Sequence, residues 1–139
     1  MINNTRWALV VEDEEDLREI IVETLIKFGF KVISCGKLSE AKIKVKNQKF
    51  EVLFLDMHLG AESGEEIIEM VREDVRGYNY ISPIIVISGF LDPELIQRIG
   101  KTVNDILVKP FDMKTFFDRT NAVLSAPQQS LNDRRSKKS

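Results

Sequence analysis

The sequence holds a single cysteine, Cys35, among its 139 residues, so no disulfide can form within the chain. A lone cysteine is neutral about compartment and compatible with a reducing cytosol. No apolar run approaches the ~20 residues that a membrane-spanning helix needs. Met1 to Arg6 also lack the basic-then-apolar layout of a secretory signal. A cytoplasmic location without membrane association is the resulting expectation. Charge of one sign is missing as well: 20 Lys and Arg stand against 22 Asp and Glu, for a formal net charge of −2. Such a molecule has no field that would draw in nucleic acid. Internal repeats are absent. What is present is ordinary for a soluble globular protein, with 43% hydrophobic and 30% charged residues. The length suits one domain, which typically runs to roughly 100–200 residues. A domain of this size buries roughly 68–70% of its unfolded surface and needs no disulfide or structural metal.

One stretch departs from this composition. From Ser125 the chain reads SAPQQSLNDRRSKKS, with Leu131 its only large apolar residue. Too little apolar surface is available there to offset the entropy of ordering. The expected division is therefore a folded domain over residues 1–125 and a disordered basic tail, or linker stub, over 126–139. Arg134, Arg135, Lys137 and Lys138 could touch an acidic partner or nucleic acid, but a solvated tail is the plainer expectation.

Trp7–Val11 (WALVV), Val52–Leu55 (VLFL) and Ile84–Ile87 (IIVI) are short, continuous, apolar and rich in β-branched residues. Strands covered on both faces look like this. Lys31–Ser34 (KVIS) and Asp105–Val108 (DILV) are fainter versions of the same signal. Helical stripes lie between them. Leu17, Ile20, Ile21, Leu25 and Phe28 form one, closed by Gly29. Ile67, Ile68, Val71 and Val75 form another. Leu95, Ile96 and Ile99 end at Gly100, and Met113, Phe116, Phe117, Val123 and Leu124 make the last. Ser39 to Lys49 alternates like a strand through AKIKVK, but its place between two strands argues for a helix. Strand and helix thus alternate five times, which predicts an α/β fold with a five-stranded parallel sheet and helices on both faces. In such doubly wound sheets ligands bind beyond the carboxyl ends of the strands.

Glu12 and Asp13 follow the first strand, Asp56 the third, Ser88 the fourth and Lys109–Pro110 the fifth. Three carboxylates brought together repel one another, and a hard divalent cation relieves that repulsion. Mg²⁺ or Mn²⁺ is the expected cofactor, with Lys109 supplying a compact positive charge. These parts suit phosphoryl transfer, with Asp56 the nucleophile and Ser88 a hydrogen-bond donor to the transferred group. Each residue alone has a plainer explanation. Acids before a helix complement its dipole, Asp56 and Ser88–Gly89 can be turn residues, and Lys109 can be a solvated loop lysine. Those explanations do not account for all of them at the ends of strands in one sheet.

The segments VVEDEEDLR (Val10–Arg18), LFLDMHLGAESG (Leu53–Gly64), VISG (Val86–Gly89) and VKPF (Val108–Phe111) resemble the response-regulator receiver family of two-component signalling. The resemblance extends over roughly residues 6–125 and is closest to the single-domain, chemotaxis-regulator type. It implies a flavodoxin-like (βα)5 fold with strand order 2-1-3-4-5. It implies that Asp56 is the phosphoacceptor and that Asp13, Glu12 (largely through water), Asp56 and the backbone carbonyl of His58 serve the metal. Ser88 becomes the switch hydroxyl and Lys109 the partner of Asp56, with a cis peptide before Pro110. Gly64 matches the glycine that begins the helix after the phosphorylation loop. The implied donor is a phosphohistidine on a sensor histidine kinase or phosphotransfer protein. The implied output face, for a downstream protein, is the fourth helix, fifth strand and fifth helix. Catalysis is confined to the chain's own phosphorylation and dephosphorylation, so it is not expected to be a turnover enzyme.

Three residues depart from the family's pattern. Glu12 replaces the commoner Asp, and Gly60 stands where proline is usual, which predicts a looser loop after Asp56. Ile106 occupies the position three before Lys109, where many members carry a Tyr or Phe that swings inward on phosphorylation. His58 and Phe90 flank the expected phosphoryl site and are candidate modulators of phosphate lifetime, with Phe90 as a shield and His58 either polarising water or simply facing solvent. Cys35 is read as a passive small residue. Two other functions compete. A phosphatase of the haloacid-dehalogenase type would want a second Asp two residues after Asp56, where this chain has His58. A degenerate receiver would act as a phosphorylation-independent interaction module.

Overall fold

The computed structural model describes residues 5–90 and 92–126. The expected tail over 126–139 therefore lies outside the described residues, apart from Ala126. Five strands alternate with five helices: β1 (Arg6–Val11), α1 (Glu15–Lys27), β2 (Phe30–Cys35), α2 (Leu38–Asn47), β3 (Val52–Asp56), α3 (Glu65–Glu73), β4 (Ile84–Ser88), α4 (Pro93–Ile99), β5 (Asp105–Val108) and α5 (Met113–Ser125). All neighbouring strands run parallel, in the order β2-β1-β3-β4-β5. The order reverses beside β1, so β1 and β3 lie together at the switch point where this class of sheet binds ligands.

The continuous apolar strands are buried because helices cover both faces. Leu9, Val11, Leu53, Leu55, Ile84 and Val86 point to one face and join residues of α2, α3 and α4. Ala8, Val10, Val52, Phe54, Ile85 and Ile87 point to the other and meet Ile21 and Leu25 of α1 and Phe116 of α5. The two-residue alternation of side chains produces this division directly. The edge strand β2 is only partly covered, so its sequence mixes Lys31 and Ser34 with apolar residues.

The ambiguous segment is indeed helical as α2, with Leu38, Ala41 and Val45 as its buried line. Three stripe residues differ from expectation. Ile20 is 46% exposed, because Ile21 and Leu25 already fill the line facing the sheet and Ile20 falls to its side. Val75 is also exposed, since α3 stops at Glu73, and Phe117 stands partly in solvent while its ring packs against Phe28. Gly29 does close α1, at φ +90°, a conformation that few residues other than glycine adopt. Asp92 and Asp112 cap α4 and α5 by accepting from the backbone N–H groups of Glu94 and Thr115.

A buried polar network unforeseen from the sequence secures the long connection into β4. Asn79 Oδ1 accepts from the Phe50 N–H at 2.8 Å, while its amide donates to the carbonyls of Val45 and Gln48. Arg72, 6% exposed, donates to the carbonyls of Thr102 and Tyr80. Together they tie α2, α3 and the segment entering β4 into one body, which holds β3 and β4 in place beneath the site.

Candidate functional site

The site is built at the carboxyl edge of the sheet from the turns that leave β1, β3, β4 and β5. Glu12 continues the ladder beyond β1, its N–H donating to the Cys35 carbonyl at 3.0 Å. Arg18 reaches back from α1 and donates to the Glu12 carbonyl at 2.8 Å. Its guanidinium lies where a side chain on residue 36 would go, since a Cβ at Gly36 would come within 2.8 Å of Arg18 Nη1. Held this way, the Glu12 side chain is fully buried, and Oε2 accepts from the Glu14 N–H at 3.1 Å. Asp56 ends β3 at 1% exposure, with Oδ1 accepting from the His58 N–H at 2.9 Å. The next backbone link, Met57 N–H to Ile87 carbonyl at 3.1 Å, fastens this turn to β4. Gly64 must be glycine because a Cβ there would lie 2.4 Å from the Asp56 carbonyl oxygen.

Lys109 enters from β5, its N–H bound to the Ser88 carbonyl at 2.8 Å and its bond to Pro110 cis. Its ammonium stands 2.9 Å from Glu12 Oε1, donates to Glu12 Oε2 at 3.1 Å and reaches Asp56 Oδ2 at 3.3 Å. One ammonium thus faces two buried carboxylates, with the exposed carboxylate of Asp13 beside them. Burial pushes the Glu12 carboxyl up to about 7, reinforced by the neighbouring Asp56 carboxyl and opposed by Lys109. Burial works to lower the Lys109 ammonium, but Glu12 and Asp56 outweigh it and hold it above its ordinary range.

Negative charge remains in excess. Glu12 Oε1 is buried without a properly directed hydrogen bond, although Lys109 Nζ lies close to it, because that ammonium directs its bond to Oε2. Glu12, Asp13 and Asp56 each offer an oxygen within 4.8 Å of the others. An incompletely satisfied buried oxygen among three converging carboxylates is a donor set for a hard divalent cation such as Mg²⁺. The residues present fit that ion.

The remaining expected residues are placed as follows. Ser88 is buried at the end of β4, but its hydroxyl donates to the Phe90 carbonyl at 2.6 Å rather than to the carboxylate cluster. The His58 residue is exposed while its backbone N–H serves Asp56. Phe90 is 64% exposed. Ile106 is partly buried against the core face that includes Ile99 and Val103 and is not free in a surface groove. Gly60 adopts φ +65°, which proline cannot, and its N–H donates to Asp13 Oδ2 at 3.3 Å. The slack expected of this loop is countered by that bond and by the paired backbone bonds between Leu59 and Glu62. The contacts of Arg18 and Gly60 were not foreseen, although Arg18 lies inside the VVEDEEDLR segment.

A parallel sheet of this order with an acidic cluster and a lysine at its switch point defines a receiver-type α/β module. The chain belongs to the response regulator receiver domain family, whose model matches residues 8–121. The regulatory protein VirG of Agrobacterium fabrum is 30% identical over 86% of this chain and 46% of its own length. The sensor histidine kinase AruS of Pseudomonas aeruginosa is 27% identical over 76% of this chain and 11% of its own length. The chain therefore spans less than half the length of these curated relatives. Among solved structures, the chemotaxis response regulator CheY4 of Vibrio cholerae superposes with a TM-score of 0.77 at 25% identity, covering 86% of this chain and 99% of that one. Receiver domains are signalling modules of two-component systems, and both regulators and kinases carry sequences similar to this one.

Proposed function

We propose that this receiver accepts a phosphoryl group on Asp56 from a phosphohistidine of a sensor histidine kinase or phosphotransfer protein. One observation carries the reading. The Asp56 carboxylate is fixed at both oxygens, by the His58 N–H on Oδ1 and Lys109 on Oδ2, beside two further carboxylates. A carboxylate oxygen of Asp56 would attack phosphorus as the P–N bond to the donor imidazole breaks, and the departing nitrogen pair remains with that imidazole. Glu12, Asp13, Asp56 and the His58 carbonyl would hold Mg²⁺ or Mn²⁺, which supplies neutralisation of the transferring oxygens when bound. Lys109 would pair with a phosphoryl oxygen once the Asp56 charge is spread over the phosphate.

The phosphoryl group adds charge and acceptor oxygens that Ser88 and Lys109 can feel. The shift it can cause equals its differential affinity for two conformations. Ser88 leads into α4 and Lys109 into α5, so the α4–β5–α5 face is the proposed surface for a downstream protein. Val108 and Phe117, each 38% exposed, are apolar side chains from β5 and α5. No helix among the described residues is long and apolar enough to cross a membrane. The proposed setting is cytoplasmic.

Incubation with Mg²⁺ and a small-molecule phosphodonor, followed by intact-mass measurement, tests this. The reading expects a single phosphoryl adduct in the parent and none in Asp56→Asn or in chelator. A folded parent that takes no phosphoryl group would instead be the phosphorylation-independent interaction module.

A further inference from the structure

We infer that Gly60 is a positioning residue for the cation: its backbone N–H holds the Asp13 carboxylate by one oxygen and leaves the other for the metal. This rests on the cation-assisted reading above.

Asp13 is the exposed member of the three carboxylates, and among the described residues the Gly60 N–H is the one hydrogen bond its side chain makes. Glu12 and Asp56 are locked by burial, whereas an exposed Asp must lose rotamer freedom to become a ligand. The bond from Gly60 removes part of that cost in advance. It spans 47 positions of sequence and joins the turn after β1 to the loop after β3.

The loop 57–60 acts as a spacer with two teeth. Its His58 N–H grips Asp56 Oδ1 at 2.9 Å, and its Gly60 N–H grips Asp13 Oδ2 at 3.3 Å. One short piece of backbone thus contacts both carboxylates, on turns that the pairing of β1 with β3 already places side by side. That piece is braced behind by the Leu59 N–H to Glu62 carbonyl bond at 2.9 Å and its reciprocal at 3.0 Å.

Conformation rather than space demands glycine at position 60. A Cβ there would meet nothing within 4 Å, yet φ is +65°. Most residues resist that conformation, Asn resists it least, and proline can neither adopt it nor donate an N–H. These differences supply the test.

Mg²⁺ binding is titrated calorimetrically without phosphodonor for the parent, Gly60→Asn and Gly60→Pro, with urea unfolding in chelator as a check on the fold. Groups that orient metal ligands typically change affinity by about 10–100-fold, and a long, exposed bond belongs at or below the low end, about threefold to tenfold. Gly60→Pro should fold in chelator with a lowered unfolding midpoint, because proline cannot adopt this φ, and weaken Mg²⁺ by that factor, while Gly60→Asn should bind nearly as the parent does. A second measurement needs no proline: in the metal-free protein, Asp13→Ala should speed exchange of the Gly60 amide severalfold. Equal Mg²⁺ affinity in Gly60→Pro and the parent overturns the inference, as does a loss in Gly60→Asn as large as in Gly60→Pro. A Gly60→Pro that does not fold in chelator leaves the Gly60 amide to decide, and unchanged exchange there overturns it as well. A folded parent that binds no Mg²⁺ overturns the cation reading itself, a separate and recognisable result.

Discussion

The hydroxyl of Ser88 donates to the Phe90 carbonyl at 2.6 Å and accepts from the Phe90 N–H at 3.2 Å. A serine hydroxyl has one proton to give. To bind a phosphoryl oxygen on Asp56 it must release Phe90, and a charged acceptor competes well against a neutral carbonyl. Binding of beryllofluoride with Mg²⁺ should therefore speed amide exchange at Phe90 and into α4. Ser88→Ala should speed exchange at Phe90 without any mimic. Exchange that stays constant in this loop when the mimic binds would sink the proposed response.

Burial of Glu12 has a consequence for stability against pH. The unfolded side chain ionises near 4.5, while the folded one keeps its proton up to about 7. Between those values the folded state holds more protons than the unfolded state, so stability falls as pH rises. Below 4.5 both forms are protonated and the contribution is fully present; above about 7 it is gone. In chelator, urea unfolding of the parent should show this decline across the window, and Glu12→Gln should flatten it. Parallel profiles for the two proteins would contradict the assignment to Glu12.

Gly64→Ala places a methyl group against backbone that cannot easily retreat, at 2.4 Å from the Asp56 carbonyl oxygen. Overpacking of this kind typically costs about 1–3 kcal/mol. Urea unfolding should register that loss, and phosphorylation should slow because Asp56 itself is displaced. A variant as stable as the parent would show that the turn has room to yield.

Phe90 and His58 should differ in their effect on phosphate lifetime. Phe90→Glu replaces an exposed apolar ring, two residues after Ser88, with a carboxylate able to recruit water, so the aspartyl phosphate should decay severalfold faster. His58→Ala should decay as the parent does, because the residue is exposed. Decay unchanged in the first variant removes the shielding role, and decay altered in the second restores one to His58.

Much of this architecture was legible in the sequence because burial on both faces leaves its mark on short strands. WALVV, VLFL and IIVI announced β1, β3 and β4, and the acids and lysine after them located the site. Ile20, Val75 and Phe117 misled because apolar spacing marks a stripe without saying how much of it the sheet will cover. The Arg18 and Gly60 contacts were hidden for another reason. One runs to a backbone carbonyl and the other from a backbone N–H, groups that nearly every residue carries, proline lacking only the N–H. Asn79 and Arg72 are of residue types usual at a surface, and only the fold brings the carbonyls of Val45, Gln48, Thr102 and Tyr80 around them.

Borohydride reduction tests the central claim most directly, because it converts an aspartyl phosphate to homoserine at the residue that carried it. After incubation with Mg²⁺ and a phosphodonor, peptide mass spectrometry should find homoserine at position 56 and at no other aspartate, and none when Mg²⁺ is withheld. Homoserine at Asp13 or elsewhere, or unmodified Asp56 in a folded and Mg²⁺-loaded protein, would contradict it.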